Sequence, residues 1–290
     1  SIQVFDFRLN EIIDSITMPV PVEKFYIFTE TGDSIQKILF KSGGNILITD
    51  LEGNILVQRA FGYITDFDIA NVYGDDTKQL VINGSNGHVV KLNDLTTQWL
   101  YYGGFGLNLK VFDIYHTGQS MILGAVGSTL VCYDANLKSP VWQKEMGNLR
   151  TFDIIDINND HDFELLWADY DLIKIYNIKA FHLDGQYSFS TPVDQKIIYD
   201  DLDGDNYYEL AYTSSINNNG FQILVADLHA NTVEWISTRP TNGFLLDVFG
   251  TDNGDSKKMF IGSRNQNNWN PGGGYLYDGK SKERDRKSIV

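Results

Sequence analysis

Thr151-Phe152-Asp153-Ile154, then Glu164-Leu165-Leu166-Trp167, then Ile175-Tyr176-Asn177 are three short apolar strands separated by polar turns. The last of them ends on Asn177, and an acidic or amide ending recurs along the chain. Val4-Phe5-Asp6, Ile48-Thr49-Asp50, Lys91-Leu92-Asn93, Cys132-Tyr133-Asp134, Val225-Ala226-Asp227 and Leu276-Tyr277-Asp278 close in the same way. The seven endings are spaced by 44, 43, 41, 43, 50 and 51 residues. Asp and Asn suit this place because their side chains bond to backbone groups of the turn that follows. A further strand then opens near a tryptophan, as at Trp99, Trp142 and Trp235.

Working outward, Phe67, Phe112, Phe152 and Ile197 mark the first strand of successive units, and Gln79-Leu80-Val81-Ile82 matches the second strand. The unit therefore reads as four strands, A to D, in about 40–50 residues, the length of a propeller blade. The expected fold is an all-β β-propeller of four-stranded antiparallel blades, one domain over 1–290. Its blades are placed at 22–65, 66–109, 110–149, 150–193, 194–243 and 244–290, with strands C and D of another at 1–21. That gives seven blades, or six and an N-terminal extension. A β-sandwich with accidental strand similarity is the competing reading, and helical periodicity is nearly absent.

Composition narrows the function. Of 290 residues, 23 are Lys or Arg and 38 are Asp or Glu, a net charge of −15, which repels a phosphate backbone and argues against nucleic acid. The single cysteine, Cys132, excludes an intramolecular disulfide and a Cys-based zinc site. No apolar run reaches the ~18–20 residues of a membrane span, and no signal peptide is legible at Ser1.

Two A–B loops carry the strongest chemical signal. Asp156, Asn158, Asp160 and Glu164 occupy positions 1, 3, 5 and 9 of one, and Asp201, Asp203, Asp205 and Glu209 those of the other. Alternate oxygens in a tight turn suit a hard cation that takes roughly six to eight oxygen ligands. Position 7 would add a main-chain carbonyl, from Asp162 and Tyr207, and calcium fits better than magnesium. His161 and Asn206 stand at position 6, where glycine is usual; both types tolerate a left-handed backbone. The competing reading is an acidic turn held by side-chain to backbone bonds without metal. Four residues on from Phe67 come Asn71, Tyr73, Asp75 and Gln79, too few carboxylates. The loop after Phe112 reads as short, offering His116, Gly118 and Ser120.

The loop form D-x-[DN]-x-D-x-x-x-E-L between strands A and B resembles the FG-GAP/VCBS repeat of integrin α-subunit propellers and many secreted bacterial proteins. The D-strand tryptophans are similar to those of PQQ-like propellers. The resemblance implies calcium in the two loops, a stiffened ring, and ligands engaged at the opposite end, through D–A and B–C loops. Intracellular relatives such as the BBSome propellers serve assembly, so the resemblance fixes neither compartment nor partner.

No catalytic signature stands out. His88, His116, His161, His182 and His229 are scattered, no G-x-S-x-G elbow occurs, and Gly103-Gly104-Phe105-Gly106 precedes a strand. Cys132 reads as packed. Two long amide-rich B–C loops, 214–220 with Asn218 and 264–271 with Asn265, Asn267, Asn268 and Trp269, suit a sugar ring or a protein surface. Tyr101 and Tyr102 are expected on the same rim, Asn83-Gly84-Ser85 is a lone glycosylation sequon, and 280–287 is a basic run. The expectation is a non-enzymatic, calcium-stabilised recognition or adhesion module for protein or glycan, extracellular or at the cell surface. The alternatives are an intracellular scaffold propeller in a multi-subunit complex and a carbohydrate-active enzyme such as a polysaccharide lyase.

Overall fold

The computed structural model describes residues 1–6, 11–29, 34–157, 160–169, 172–188, 197–215, 221–228, 230, 232–237, 243–250, 257–264 and 271–283. Every regular element among them is a β-strand, and no helix among the described residues is long and apolar enough to cross a membrane. The chain divides into two compact units, residues 1–146 and 147–290.

In the first unit, β1 (Ile2–Asp6) and β2 (Glu11–Ile16) pair as a two-stranded sheet. Three antiparallel four-stranded sheets follow, each in simple chain order. They are β3 (Lys24–Thr29), β4 (Gln36–Ser42), β5 (Asn45–Thr49) and β6 (Ile55–Ala60); then β7 (Ile64–Ala70), β8 (Gln79–Gly84), β9 (Asn86–Lys91) and β10 (Thr97–Tyr102); then β11 (Leu107–Phe112), β12 (Met121–Val126), β13 (Thr129–Asp134) and β14 (Ser139–Glu145). The second unit holds two more such sheets. These are β15 (Thr151–Ile155), β16 (Glu164–Asp169), β17 (Leu172–Asn177) and β18 (Leu183–Ser188), then β19 (Ile197–Asp200), β20 (Glu209–Ser215), β21 (Phe221–Asp227) and β22 (Thr232–Ile236). A three-stranded sheet, β23 (Gly243–Gly250), β24 (Lys257–Arg264) and β25 (Pro271–Asp278), completes it.

Side-chain alternation explains why these meanders stack. Successive residues of a strand point to opposite faces, so a strand covered on both faces needs an unbroken apolar run. The second strands supply it: Leu80-Val81-Ile82 and Leu165-Leu166-Trp167 are fully buried. In β4, Ile38 and Phe40 pack with Ile2, Ile16 and Met18, whereas Leu39 between them packs with Ile64, Phe67 and Leu80 of the next sheet. In β8, Leu80 and Ile82 face back to Leu39 while Val81 faces forward to Ile122 and Val131. In β20, Leu210 and Tyr212 join Leu166 and Ala168, and Ala211 joins Met259. Each core therefore lies between consecutive sheets. The outermost strands β18 and β22 alternate between half-buried and exposed, as an edge with one wet face should.

The crossover from one sheet to the next runs close over the new sheet. At Gly84 an added Cβ would lie 1.8 Å from the Tyr63 carbonyl oxygen, and at Gly124 1.9 Å from that of Phe105. Only glycine lets the backbone approach so closely. The amide of Asn83 closes the same corner. Its Oδ1 accepts the Phe105 N–H at 2.7 Å, and its Nδ2 donates to Thr65 Oγ1 at 2.9 Å and to the Gly106 carbonyl. Asn83 is thus a buried structural amide and not a presented sequon.

Two expectations need correction. Tyr101 does not join Tyr102 on an exposed rim: it stacks on Phe105 at 5.7 Å and 10° and meets Tyr133 edge-on at 5.0 Å, while Tyr102 is 79% exposed. The two neighbours on a strand face opposite ways. Phe112 is also not the phase marker of its unit. It is the last residue of β11, and the loop begins at Asp113, so the equivalent of Phe67 is the buried Leu109. Adjacent apolar residues Val111 and Phe112 hide the alternation, and the pairing of β11 with β12 shifts register between Leu107 and Lys110.

Candidate metal centre in the A–B loops

Four A–B loops have the same length and the same skeleton. They span 71–78, 113–120, 156–163 and 201–208, each opening directly after the first strand of its sheet. The side chain at position 1 caps the turn. Asn71 Oδ1 accepts the N–H of Asp75 at 3.3 Å, Asp113 Oδ1 that of Thr117 at 3.0 Å, Asp156 Oδ1 that of Asp160 at 3.1 Å, and Asp201 Oδ1 that of Asp205 at 3.2 Å. Where position 1 is a carboxylate, its second oxygen takes the N–H of position 6, from Gly118, His161 or Asn206. Position 6 is left-handed in all four, with φ of 62° at Asp76, 82° at Gly118, 68° at His161 and 71° at Asn206. Asp, Asn and His are the non-glycine types that enter this region at least cost.

Position 5 caps the next N–H in turn. Asp75 Oδ1, Thr117 Oγ1, Asp160 Oδ1 and Asp205 Oδ1 accept the N–H of Thr77, Gln119, Asp162 and Tyr207 at 3.2, 3.3, 2.7 and 2.8 Å. Position 9 then clasps the loop to its own start. Gln79 Oε1 accepts the Val72 N–H at 3.0 Å, Glu164 Oε2 that of Ile157 at 2.9 Å and Glu209 Oε2 that of Leu202 at 2.6 Å. The loop after β11 has Met121 there and lacks this bond's acceptor. The loop taken as short therefore has full length, and its cap is Asp113, not His116. Counting from Phe112 placed the loop three residues late.

The loops differ in charge. In the 201–209 loop, carboxylate oxygens of Asp201, Asp203 and Glu209 all lie within 4.8 Å of one another. Oxygens on opposite sides of a calcium ion bound at ~2.4 Å stand about 4.8 Å apart, so this donor set fits the ion. Glu209 is 1% exposed. Burial pushes its carboxyl up to about 7; the Leu202 N–H and the Lys282 ammonium oppose the shift, while Asp203 and Glu234 reinforce it. Lys282 stands 3.7 Å from Glu234 and is itself largely buried, so the acidic group has a resident cation beside it. Asp205 is committed to the Tyr207 N–H.

The 156–164 loop is gathered less tightly. Its Glu164 carboxyl is raised by burial, with the Ile157 N–H opposing and Asp160, Asp156 and Asp184 adding repulsion. The Asp162 side chain is drawn into an ion pair with Lys179. Asn158 lies outside the described residues, as do Asn218, Asn265, Asn267, Asn268 and Trp269 of the two amide-rich loops.

Sequence reasoning located the Asn71 loop but set it aside for its few carboxylates; the structure shows that it shares the skeleton, with Asn71 directly after the strand and Gln79 eight residues on. Lys282, part of the basic run 280–287, is largely buried beside Glu234, a partner distant in sequence.

No family model matches the chain, and no curated protein matches it. Solved structures do. The crystal structure of BBS1N in complex with ARL6DN, soaked with lead, aligns with a TM-score of 0.60 at 10% identity over 92% of this chain and 82% of that one. The dihydro-heme d1 dehydrogenase NirN in complex with DHE gives 0.60 at 11%, over 99% and 70%. BamB from Moraxella catarrhalis gives 0.53 at 12%, over 88% and 73%. At this identity the likeness concerns the fold, which is that of β-propellers with four-stranded antiparallel blades.

Proposed function

We propose that this chain is a calcium-stabilised, non-enzymatic β-propeller of the FG-GAP/VCBS type, acting as a recognition module at the cell surface or outside the cell. The observation that carries the metal is the approach of one carboxylate oxygen each from Asp201, Asp203 and Glu209 to within 4.8 Å of one another. A buried carboxylate such as Glu209, which the Leu202 N–H and the Lys282 ammonium compensate only in part, is costly, and a divalent cation offsets that cost directly.

Recognition is supported by the uneven distribution of charge in the first unit. At the A–B and C–D end stand Asp50, Glu52, Asp75, Asp76, Asp94 and Asp113. At the other end, turns 43–44, 61–63, 103–106 and 127–128 carry no charged residue, and Tyr63, Tyr102, Leu107 and Val126 are exposed there. Glu23, paired with Lys41, and Glu145 are the charges that bond at these turns, to the Gly43 N–H and the Ser128 hydroxyl. Turns otherwise built of Gly and Tyr lose little solvation on docking and make large, stiff contacts. A protein partner is favoured over a glycan by the neighbour BBS1N, which was solved in complex with ARL6DN. The same likeness supports a second reading, a scaffold propeller within a multi-subunit complex.

Calorimetry and thermal unfolding in calcium against EDTA test the reading. At a free calcium concentration ~100 times the dissociation constant, the stabilisation is about 2.7 kcal/mol. Equal melting temperatures in the two buffers refute the metal-stabilised propeller.

A further inference from the structure

A cavity of about 400 Å³ opens at the A–B and C–D end of the first unit, lined by Thr29, Asp76, Lys78, Lys91, Leu92 and Gln98 among others. Its volume falls in the range of small-molecule sites, ~300–1,000 Å³. The walls are fixed. On one side the 71–78 loop is held by Asn71, Asp75 and Gln79, with the Gln79 amide donating to Thr77 Oγ1 and that hydroxyl to Asp75 Oδ1. On the other side the turn after β9 is closed by Leu95 N–H to the Lys91 carbonyl at 3.0 Å and Lys91 N–H to the Thr96 carbonyl at 2.9 Å.

Within this braced frame, several lining side chains make few bonds to the protein. No side-chain hydrogen bond or ion pair within the described residues engages the Asp76 carboxylate or the Lys78 ammonium, and Lys91 acts on its neighbour Asp94 through space without a hydrogen bond. The Gln98 amide oxygen is buried without a partner. A buried acceptor left unpaired costs free energy, and such groups in a cleft point to a missing donor. Asp76 also sits at a left-handed position, φ 62°, where the following blade has Gly118. Its carboxylate is kept at a place where glycine would be less strained.

The set is mixed: two ammonium donors suit an anion, while the Asp76 carboxylate and the Gln98 oxygen accept from hydroxyl or ammonium donors. We propose that this cavity binds a small ligand that carries a carboxylate together with hydroxyl or ammonium donors. The carboxylate pairs with Lys78 and Lys91, and the donors satisfy Asp76 and the orphaned Gln98 oxygen. Leu92 supplies an apolar patch for the ligand's carbon skeleton. Two sources share this chemistry, a hexuronic acid and a short peptide, and the site is independent of the Asp201 loop and of the Gly- and Tyr-rich turns at the opposite end.

Isothermal calorimetry with D-glucuronate and, separately, the dipeptide Gly-Glu tests this on the full chain, with D-glucose as the uncharged control. The expected result is a dissociation constant on the order of 1 mM or tighter for at least one of the charged probes, with none for glucose. Glucuronate alone identifies a sugar source and Gly-Glu alone a peptide source. The double substitution Lys78→Ala/Lys91→Ala should weaken binding about tenfold or more while leaving the melting temperature unchanged. Gln98→Leu removes the orphaned oxygen, so it should weaken binding without lowering the melting temperature, a combination that a purely structural glutamine does not give. No binding of either charged probe at 10 mM (about ten times the expected constant), or full binding by both variants, overturns the proposal.

Discussion

Glu209 accepts the backbone N–H of Leu202 at 2.6 Å, closing its eight-residue loop from the far end. Glu164 does the same for Ile157, and in the Asn71 loop the neutral amide of Gln79 does it for Val72. The clasp therefore needs an acceptor and not a charge. The charge at position 9 is surplus to the loop's own folding, and the proposed cation would offset it.

Glu209→Gln should separate the two roles. The amide oxygen preserves the Leu202 bond as Gln79 preserves that of Val72, while the buried charge disappears. In EDTA at pH 8 the variant should be more stable than the parent by about 1–3 kcal/mol, since a carboxyl held near 7 is strained when ionised. In calcium the parent should regain stability and the variant should not. Urea unfolding in the two buffers reads both effects.

The pH dependence without divalent cation follows from the same group. The Glu209 pKa is raised from 4.5 to about 7, so the folded state binds its proton more tightly than the unfolded state. Its contribution to stability is fully present below pH ~4.5 and is lost as pH rises through about 7. Glu164, Glu234 and Asp68 are shifted in the same direction by burial. Asp50 and Asp94 are lowered by hydrogen bonds, so their contribution falls away only under more acid conditions. In EDTA the urea midpoint should therefore be higher at pH 5 than at pH 8, and calcium should reduce or reverse that order. Equal midpoints in EDTA would show that Glu209 is not held protonated.

Much of this architecture was legible because period-2 alternation is local. Leu80-Val81-Ile82 announces a strand covered on both faces, and Ile175-Tyr176-Asn177 announces a strand that ends in a self-capping turn. The acidic loops were legible for the same reason, since every ligand candidate lies within nine residues. What escaped the reading depends on neighbours distant in sequence. Leu109 could be told from Phe112 only by which side chain faces the adjoining sheet. Lys282 reaches Glu234 across 48 positions, 282 − 234. The side chains of Lys78, Lys91 and Gln98 become a site only when β8, β9 and β10 are side by side.

Asn83 gives a prediction against its own sequon. Its amide is buried and bonded to Phe105, Thr65 and Gly106, so an oligosaccharyltransferase meets it only before folding. Asn83→Ala should cost about 1–3 kcal/mol, the loss of a buried hydrogen-bonding group whose partners stay behind. Protein secreted from a eukaryotic host should show no mass shift on treatment with an endoglycosidase. A glycan at Asn83 on correctly folded protein would contradict the corner described above.

The crossover glycines give the sharpest contrast. At Gly124 a methyl group would meet the Phe105 carbonyl at 1.9 Å, and backbone on both sides must move to admit it. At Gly43, in the turn between β4 and β5, φ is 56° but nothing stands within 4 Å of the added carbon. Gly43→Ala therefore carries only the left-handed penalty of about 1 kcal/mol. Gly124→Ala should cost more than about 3 kcal/mol, because close-packed backbone transmits the displacement to Leu123 and Ala125 on either side. Chemical denaturation of the two variants measures the difference directly. If Gly124→Ala is no worse than Gly43→Ala, the crossover does not pass over β12 as closely as the Phe105 carbonyl implies.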